Sequence, residues 1–212
     1  MTQTKRTGFL DDKPWPKKLV ARALLRETSG AVRVFGYAAP EVVSLLGMDG
    51  LWYLALRGEL PTKQELALFS CALGIAANVS AADGAVHAAM IARLCGAGSA
   101  RLLSTAAIGA SECAQLMATT DRLEDAGDDF VARRTDAVAA FPTVPGLAEC
   151  KHRMALVARL LDAAGVGAKE QVTIAVSVAI LPLVMAEALA GKPNAFDEYP
   201  MNLPPIDYVE GP

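Results

Sequence analysis

The chain predicts an all-α fold on three observations. Hydrophobic residues make up 53% of it and aromatics only 6%, with alanine and leucine dominant. That composition suits helices packed closely on helices. Apolar residues also recur at helical spacing between recognisable caps and breakers. Finally, no alternating strand pattern of any length, and no internal repeat, interrupts them.

With 212 residues the chain can form one domain with a sizeable core. Residues 1–28 read as an arm and lead-in, 29–191 as the helical domain and 192–212 as an extended tail. The arm is polar, with Trp15 held between Pro14 and Pro16 as an anchor for the body or a neighbouring subunit. Residues 33–37 form a short β-like run with Gly36 as its turn point. Residues 40–46 and 51–57 carry apolar side chains at helical spacing. Gly58 can then take the left-handed conformation that ends a helix. Leu60, preceding Pro61, is pushed out of the α region. Thr62 and Glu65 complete a capping box for the next helix.

That helix is expected over 63–78, with Leu66, Phe69, Leu73 and Ala76 or Ala77 on one face. Ser80 can cap a helix whose capping-box position is Asp83. Residues 85–94 are almost uniformly apolar and are expected to be buried on most sides. A helix over 101–127 is expected to bend near Gly109. The next begins at Gly127-Asp128-Asp129, with acids that complement its dipole, and runs to 140. A proline-containing loop spans 141–146, and an amphipathic helix spans 148–164. Residues 172–190 are long and apolar enough to span a bilayer. Pro182, Glu187 and the preceding Lys169 and Glu170 favour a buried helix kinked at the proline instead. The tail has five prolines and no period, but its Phe196, Tyr199, Leu203, Ile206 and Tyr208 suit packing on the body or a partner.

Composition also bounds function. A net charge of −3 offers nothing to a polyanion, so no nucleic-acid partner is expected. Residues 1–8 are polar and no apolar signal region follows. Cys71, Cys95, Cys113 and Cys150 have no metal-ligand spacing and read as reduced thiols, mostly buried, in a cytoplasmic protein.

The order Val-x-Gly-Tyr, apolar helix, Trp52-Tyr53-x-Leu, Gly58-Glu59-Leu60-Pro61-Thr62, apolar helix resembles the opening of the citrate synthase superfamily, which includes the citryl-CoA lyases. The resemblance covers about 29–165 and implies that family's helical large domain, with the small domain largely absent. It also implies carbon–carbon bond chemistry next to a carbonyl. The family's three histidine places are changed. The first reads Asp83-Gly84, and the second, Ile108-Gly109-Ala110-Ser111-Glu112, puts Glu112 nearest the histidine. The third keeps Pro145-Gly146 with Glu149 in register, and a shift of a few residues brings in His152-Arg153. No arginine follows Arg159, so the small-domain arginines have no counterpart.

The candidate catalytic residues are therefore Glu112, Asp83, His87 and Glu149, with Glu112 as acid or base. The substrate-binding candidates are His152, Arg153, Arg93 and Ser80; none is a metal site. His87 joins because it follows Asp83 by four residues, on one helix face. Each has a plain structural role too: Asp83 as a helix cap, Glu149 as a first-turn acid, and His152-Arg153 with Lys151 as a solvated basic face. A carboxylate can serve as base at a carbon acid, or as acid once burial raises its pKa. The expected substrate is a small carboxylic acid or an acyl-CoA, with a CoA thioester entering only as substrate and no other cofactor. The expected assembly is a homo-oligomer away from membranes. The alternative is a degenerate family member acting as a scaffold or partner subunit, or a binder of a small acyl compound.

Overall fold

The computed structural model of the chain describes residues 23–26, 30, 32–78, 84–119 and 128–190. Trp15, Ser80, Asp83, the side chain of Cys113 and the proline-rich tail lie outside the described residues. Among the described residues seven helices dominate: α1 (Ala39–Arg57), α2 (Lys63–Ala76), α3 (Gly84–Leu94), α4 (Ser99–Thr119), α5 (Asp128–Ala140), α6 (Arg153–Ala163) and α7 (Lys169–Ala190). The all-α expectation holds, with one addition. A small antiparallel sheet of β1 (Leu24–Arg26), β2 (Val32–Val34) and β3 (Tyr37–Ala38) precedes the helices. Strands this short are too brief for alternation to show in the sequence. Because β1 pairs with β2, the lead-in is stitched to the body.

The β2–β3 connection is a two-residue turn at Phe35 and Gly36. Both have positive φ, 48° and 89°, which is the conformation that matches the twist of a tight hairpin. A phenylalanine there is strained. Its ring is held against Gly58, where an added Cβ would lie 3.5 Å from Phe35 Cε1. Gly58 is thus needed twice: its φ of 79° ends α1, and its bare Cα accommodates the ring.

Helix α1 contains a break, with Gly47 at φ 71° and ψ −174°. The two helical runs read from the sequence are the halves on either side of it. Beyond Gly58, Thr62 caps α2 as expected. Its hydroxyl accepts the Glu65 N–H, and its own N–H donates to the Glu65 carboxylate at 2.7 Å. The buried face of α2 is rotated from the expected one: Leu68, Phe69, Ala72, Ile75 and Ala76 are buried, while Leu66 and Leu73 are half-buried. Likewise α3 buries only one side, Ala85, Val86 and Ala89, and exposes His87 and Ile91. Both helices carry more apolar positions than one buried face needs, so packing decides which of them face the core.

Helix α4 runs unbroken through Gly109. The glycine serves close approach instead of a bend: a Cβ there would lie 3.0 Å from Ala85 Cα on α3. Helix α7 packs on α4, α3 and α2 and buries Ala175, Val176, Ile180, Val184 and Ala188. Among the described residues it is the helix long and apolar enough to cross a membrane. It is continuous through Pro182.

The main core joins α2, α3, α4, α6 and α7 with Tyr53 of α1 and Phe130 and Ala137 of α5, and a smaller one joins Val34, Val42 and Leu54. Three contacts lock the end of α1 to the α6–α7 corner. The buried Tyr53 hydroxyl donates to the Ala164 carbonyl at 2.9 Å. Gln171 Nε2 donates to the Leu56 carbonyl at 2.8 Å. Arg57 lies over Gly165, where a Cβ would be 3.4 Å from Nε. The Tyr53 ring also meets Phe69 edge to face, with centroids 5.6 Å apart, a favourable aromatic geometry.

Candidate functional site

The segment between α5 and α6 builds a polar, charge-lined cavity. Phe141 ends α5, and its carbonyl accepts the Val144 N–H at 3.0 Å. Gly146 then turns the chain with a φ of 78°. Leu147 is buried and anchors the loop. The Cys150 thiol reaches back to the Gly146 carbonyl at 3.3 Å, and Arg134 Nη1 donates to the Cys150 carbonyl at 2.9 Å. These bonds hold 147–150 in turns, so α6 begins at Arg153 and not at 148. Glu149 therefore sits in the loop ahead of the helix instead of in its first turn.

His152 is the N-cap of α6: its Nδ1 accepts the Ala155 N–H at 3.2 Å. This fixes Nδ1 as the unprotonated nitrogen and leaves Nε2–H as the ring's donor. Three and seven residues further on, Ala155 and Arg159 occupy the same helix face. The resulting cavity of about 220 Å³ is lined by Gly146, Glu149, Cys150, Lys151, His152, Ala155 and Arg159. Two cations, Lys151 and Arg159, face one carboxylate there, so the lining suits an anion. A Cβ on Gly146 would lie 3.4 Å from Glu149 Oε2 and 3.5 Å from Arg159 Cζ. The bare glycine keeps that wall open. Burial pushes the Cys150 thiol above its ordinary pKa, against the opposing pull of Arg159 and Arg134, so the thiol is not an activated nucleophile.

Two sequence candidates, Glu149 and His152, thus share one cavity. Arg153 instead donates from Nη1 to the Asn78 carbonyl at the end of α2, and Asn78 Nδ2 donates to Asp129 at 2.6 Å. Glu112 lies exposed on α4 and His87 exposed on α3, and neither lines this cavity. Arg93 ends α3 half-buried, its Nε enclosed without a hydrogen-bond partner among the described residues. Asp83 and Ser80 lie outside the described residues. Sequence reasoning missed Arg159 as a lining residue. Its spacing of seven from His152, two helical turns, was the available signal.

Fold and site together define a helical protein with a charged cavity at the head of one helix. No protein-family profile matches the chain, and no curated protein does. Among solved structures it is similar to citryl-CoA lyase from Hydrogenobacter thermophilus. The identity is 15% and the TM-score 0.47, over 90% of this chain and 97% of that one.

Proposed function

We propose that the cavity at the head of α6 takes a small carboxylic acid or its acyl-CoA thioester, and that the chain makes or cleaves a carbon–carbon bond adjacent to a carbonyl. The observation that carries this reading is the convergence of Lys151, Arg159, His152 and Glu149 on one open cavity. The Gly-Glu-Leu-Pro-Thr turn, formed with its capping box, supports the superfamily assignment that suggests the reaction. Lys151 and Arg159 hold a carboxylate. His152 Nε2–H donates to the carbonyl oxygen, on which charge develops. In the cleavage direction Glu149 removes the proton of a β-hydroxyl. That oxygen becomes the carbonyl of the departing keto-acid as the carbon–carbon bond breaks. The electron pair passes to the thioester as an enolate, whose carbon then takes a proton. Asp83, His87, Glu112, Arg93, Arg153 and Ser80 are not required by this route. The same reading takes the protein as a cytoplasmic homo-oligomer needing no cofactor of its own.

A second reading, a non-catalytic partner subunit, is favoured by exposed apolar side chains such as Leu45, Met48 and Leu189. The test is incubation with citryl-CoA and a panel of acyl-CoAs and keto-acids, with products read by mass spectrometry and binding by thermal shift. Turnover that is lost in Glu149→Gln, with ligand stabilisation lost in Arg159→Met, is the expected result. No turnover and no thermal shift with any member would leave the partner-subunit reading.

A further inference from the structure

A second cavity, of about 360 Å³, opens between α1, α2 and α7. It is lined by Asp49, Trp52, Ser70, Leu73, Gly74, Ala77, Val178, Ala179 and Pro182. Its size falls in the range of small-molecule pockets. Apart from the Trp52 indole N–H, its polar groups are acceptors or committed donors. Asp49 follows directly on the Gly47 break, and its Oδ2 accepts the Ser70 hydroxyl at 2.5 Å. That bond spends the one serine proton and leaves Oδ1 open. Among the described residues no lysine, arginine or histidine pairs with Asp49. Across the cavity, Pro182 brings no N–H to α7, so the Val178 carbonyl loses its partner one turn on. Trp52, three residues after Asp49, adds an aromatic surface that is 37% exposed. Leu73, Ala77 and Ala179 supply apolar wall. A Cβ added at Gly74 meets nothing within 4 Å.

A carboxylate, a carbonyl without its helical partner and an indole on an apolar wall are the complement of one ligand chemistry. We propose that this cavity binds a small organic cation, an ammonium on an apolar body. The ammonium lies between Asp49 Oδ1 and the Val178 carbonyl, and the hydrocarbon lies along Trp52 and Leu73. The attraction of a cation to the indole face adds to the charge pairing. An anion would meet the Asp49 charge and a lone-pair carbonyl with a single indole N–H to offset them, so the site is separate in chemistry from the α6 cavity.

The test uses the full chain carrying Trp15→Phe, so that Trp52 is its one tryptophan. Its fluorescence is titrated with hexylammonium chloride, hexanol and sodium hexanoate. A saturable change with hexylammonium, about tenfold or more weaker with the other two, is expected from loss of the charge and cation–π terms. Asp49→Asn keeps an acceptor for Ser70 and should weaken hexylammonium binding to the hexanol level. Gly74→Leu should fill the cavity and remove the response. Thermal unfolding of the unaltered chain in the same three probes should repeat the ranking, independent of any substitution. Equal binding of hexanol, retention of hexylammonium binding by Asp49→Asn, or no saturable response would overturn the proposal.

Discussion

Gly109→Ala sets helix propensity against packing at one atom. In the middle of a helix, alanine is favoured over glycine by about 1 kcal/mol, so α4 alone would gain. The new Cβ, however, would stand 3.0 Å from Ala85 Cα, 3.2 Å from its Cβ and 3.5 Å from its carbonyl oxygen. Ala85 is buried in α3, and its backbone cannot rotate aside as a long side chain would. Forcing a methyl into a filled interface costs about 1–3 kcal/mol. The net expectation is a loss of about 1 kcal/mol, or roughly 2–4 °C in Tm for a chain of this size. Gly74→Ala on α2 is the matched control, because its Cβ meets nothing within 4 Å. It should raise stability by up to about 1 kcal/mol. Adding Ala85→Gly to Gly109→Ala removes the 3.2 Å contact to the Ala85 Cβ but leaves the 3.0 Å contact to its Cα, so it should recover only part of the packing loss and, with Ala85→Gly alone, give a non-additive cycle. Calorimetry or chemical denaturation reads all of these proteins. If Gly109→Ala stabilises as Gly74→Ala does, the close approach of α3 and α4 is not as described.

Other expectations are simpler. Tyr53→Phe removes a buried donor and leaves the Ala164 carbonyl unpaired, a loss of about 1–3 kcal/mol by denaturation. Gly146→Ala places a methyl where φ is 78° and against Glu149 and Arg159, so ligand stabilisation at the α6 cavity should fall along with Tm. The Glu65 carboxyl is held below its ordinary value of 4.5, first by the Thr62 backbone N–H and then by the Thr62 side chain. A depressed folded pKa means stability that is present above 4.5 and lost as pH falls through the folded value. Glu65→Gln should flatten that acid limb of the stability curve. Burial pushes the Cys71 and Cys150 thiols up, while Cys95 is exposed. Iodoacetamide labelling followed by mass spectrometry should therefore find Cys95 modified well ahead of the other two.

What could be read in advance followed from local chemistry. The Gly58 stop, the Thr62–Glu65 capping box and the acid-led start of α5 each depend on residues within one turn of one another. Helix orientation was hidden where apolar positions exceed one buried face, as in α2 and α3, because packing then decides which of them face the core. The start of α6 was misplaced because the Cys150 thiol and Arg134 hold the preceding turns, and Arg134 comes from the previous helix. The hairpin at Phe35 was obscured for another reason: a phenylalanine occupies a position where asparagine or glycine is the usual signal. Pro145-Gly146 and His152 pointed to the loop that lines the α6 cavity. The role of Gly109 was legible only once Ala85 lay across from it.

The bonds from Tyr53 to Ala164 and from Gln171 to Leu56 span separations of 111 and 115 residues. A ribosome building this chain must therefore finish α6 and start α7 before α1 can find its final partners. Until then the first half of the nascent protein carries a tyrosine hydroxyl without its final acceptor, and such unfinished surfaces are what chaperones recognise. Closing so wide a loop is an entropic cost that must be met before either bond can form.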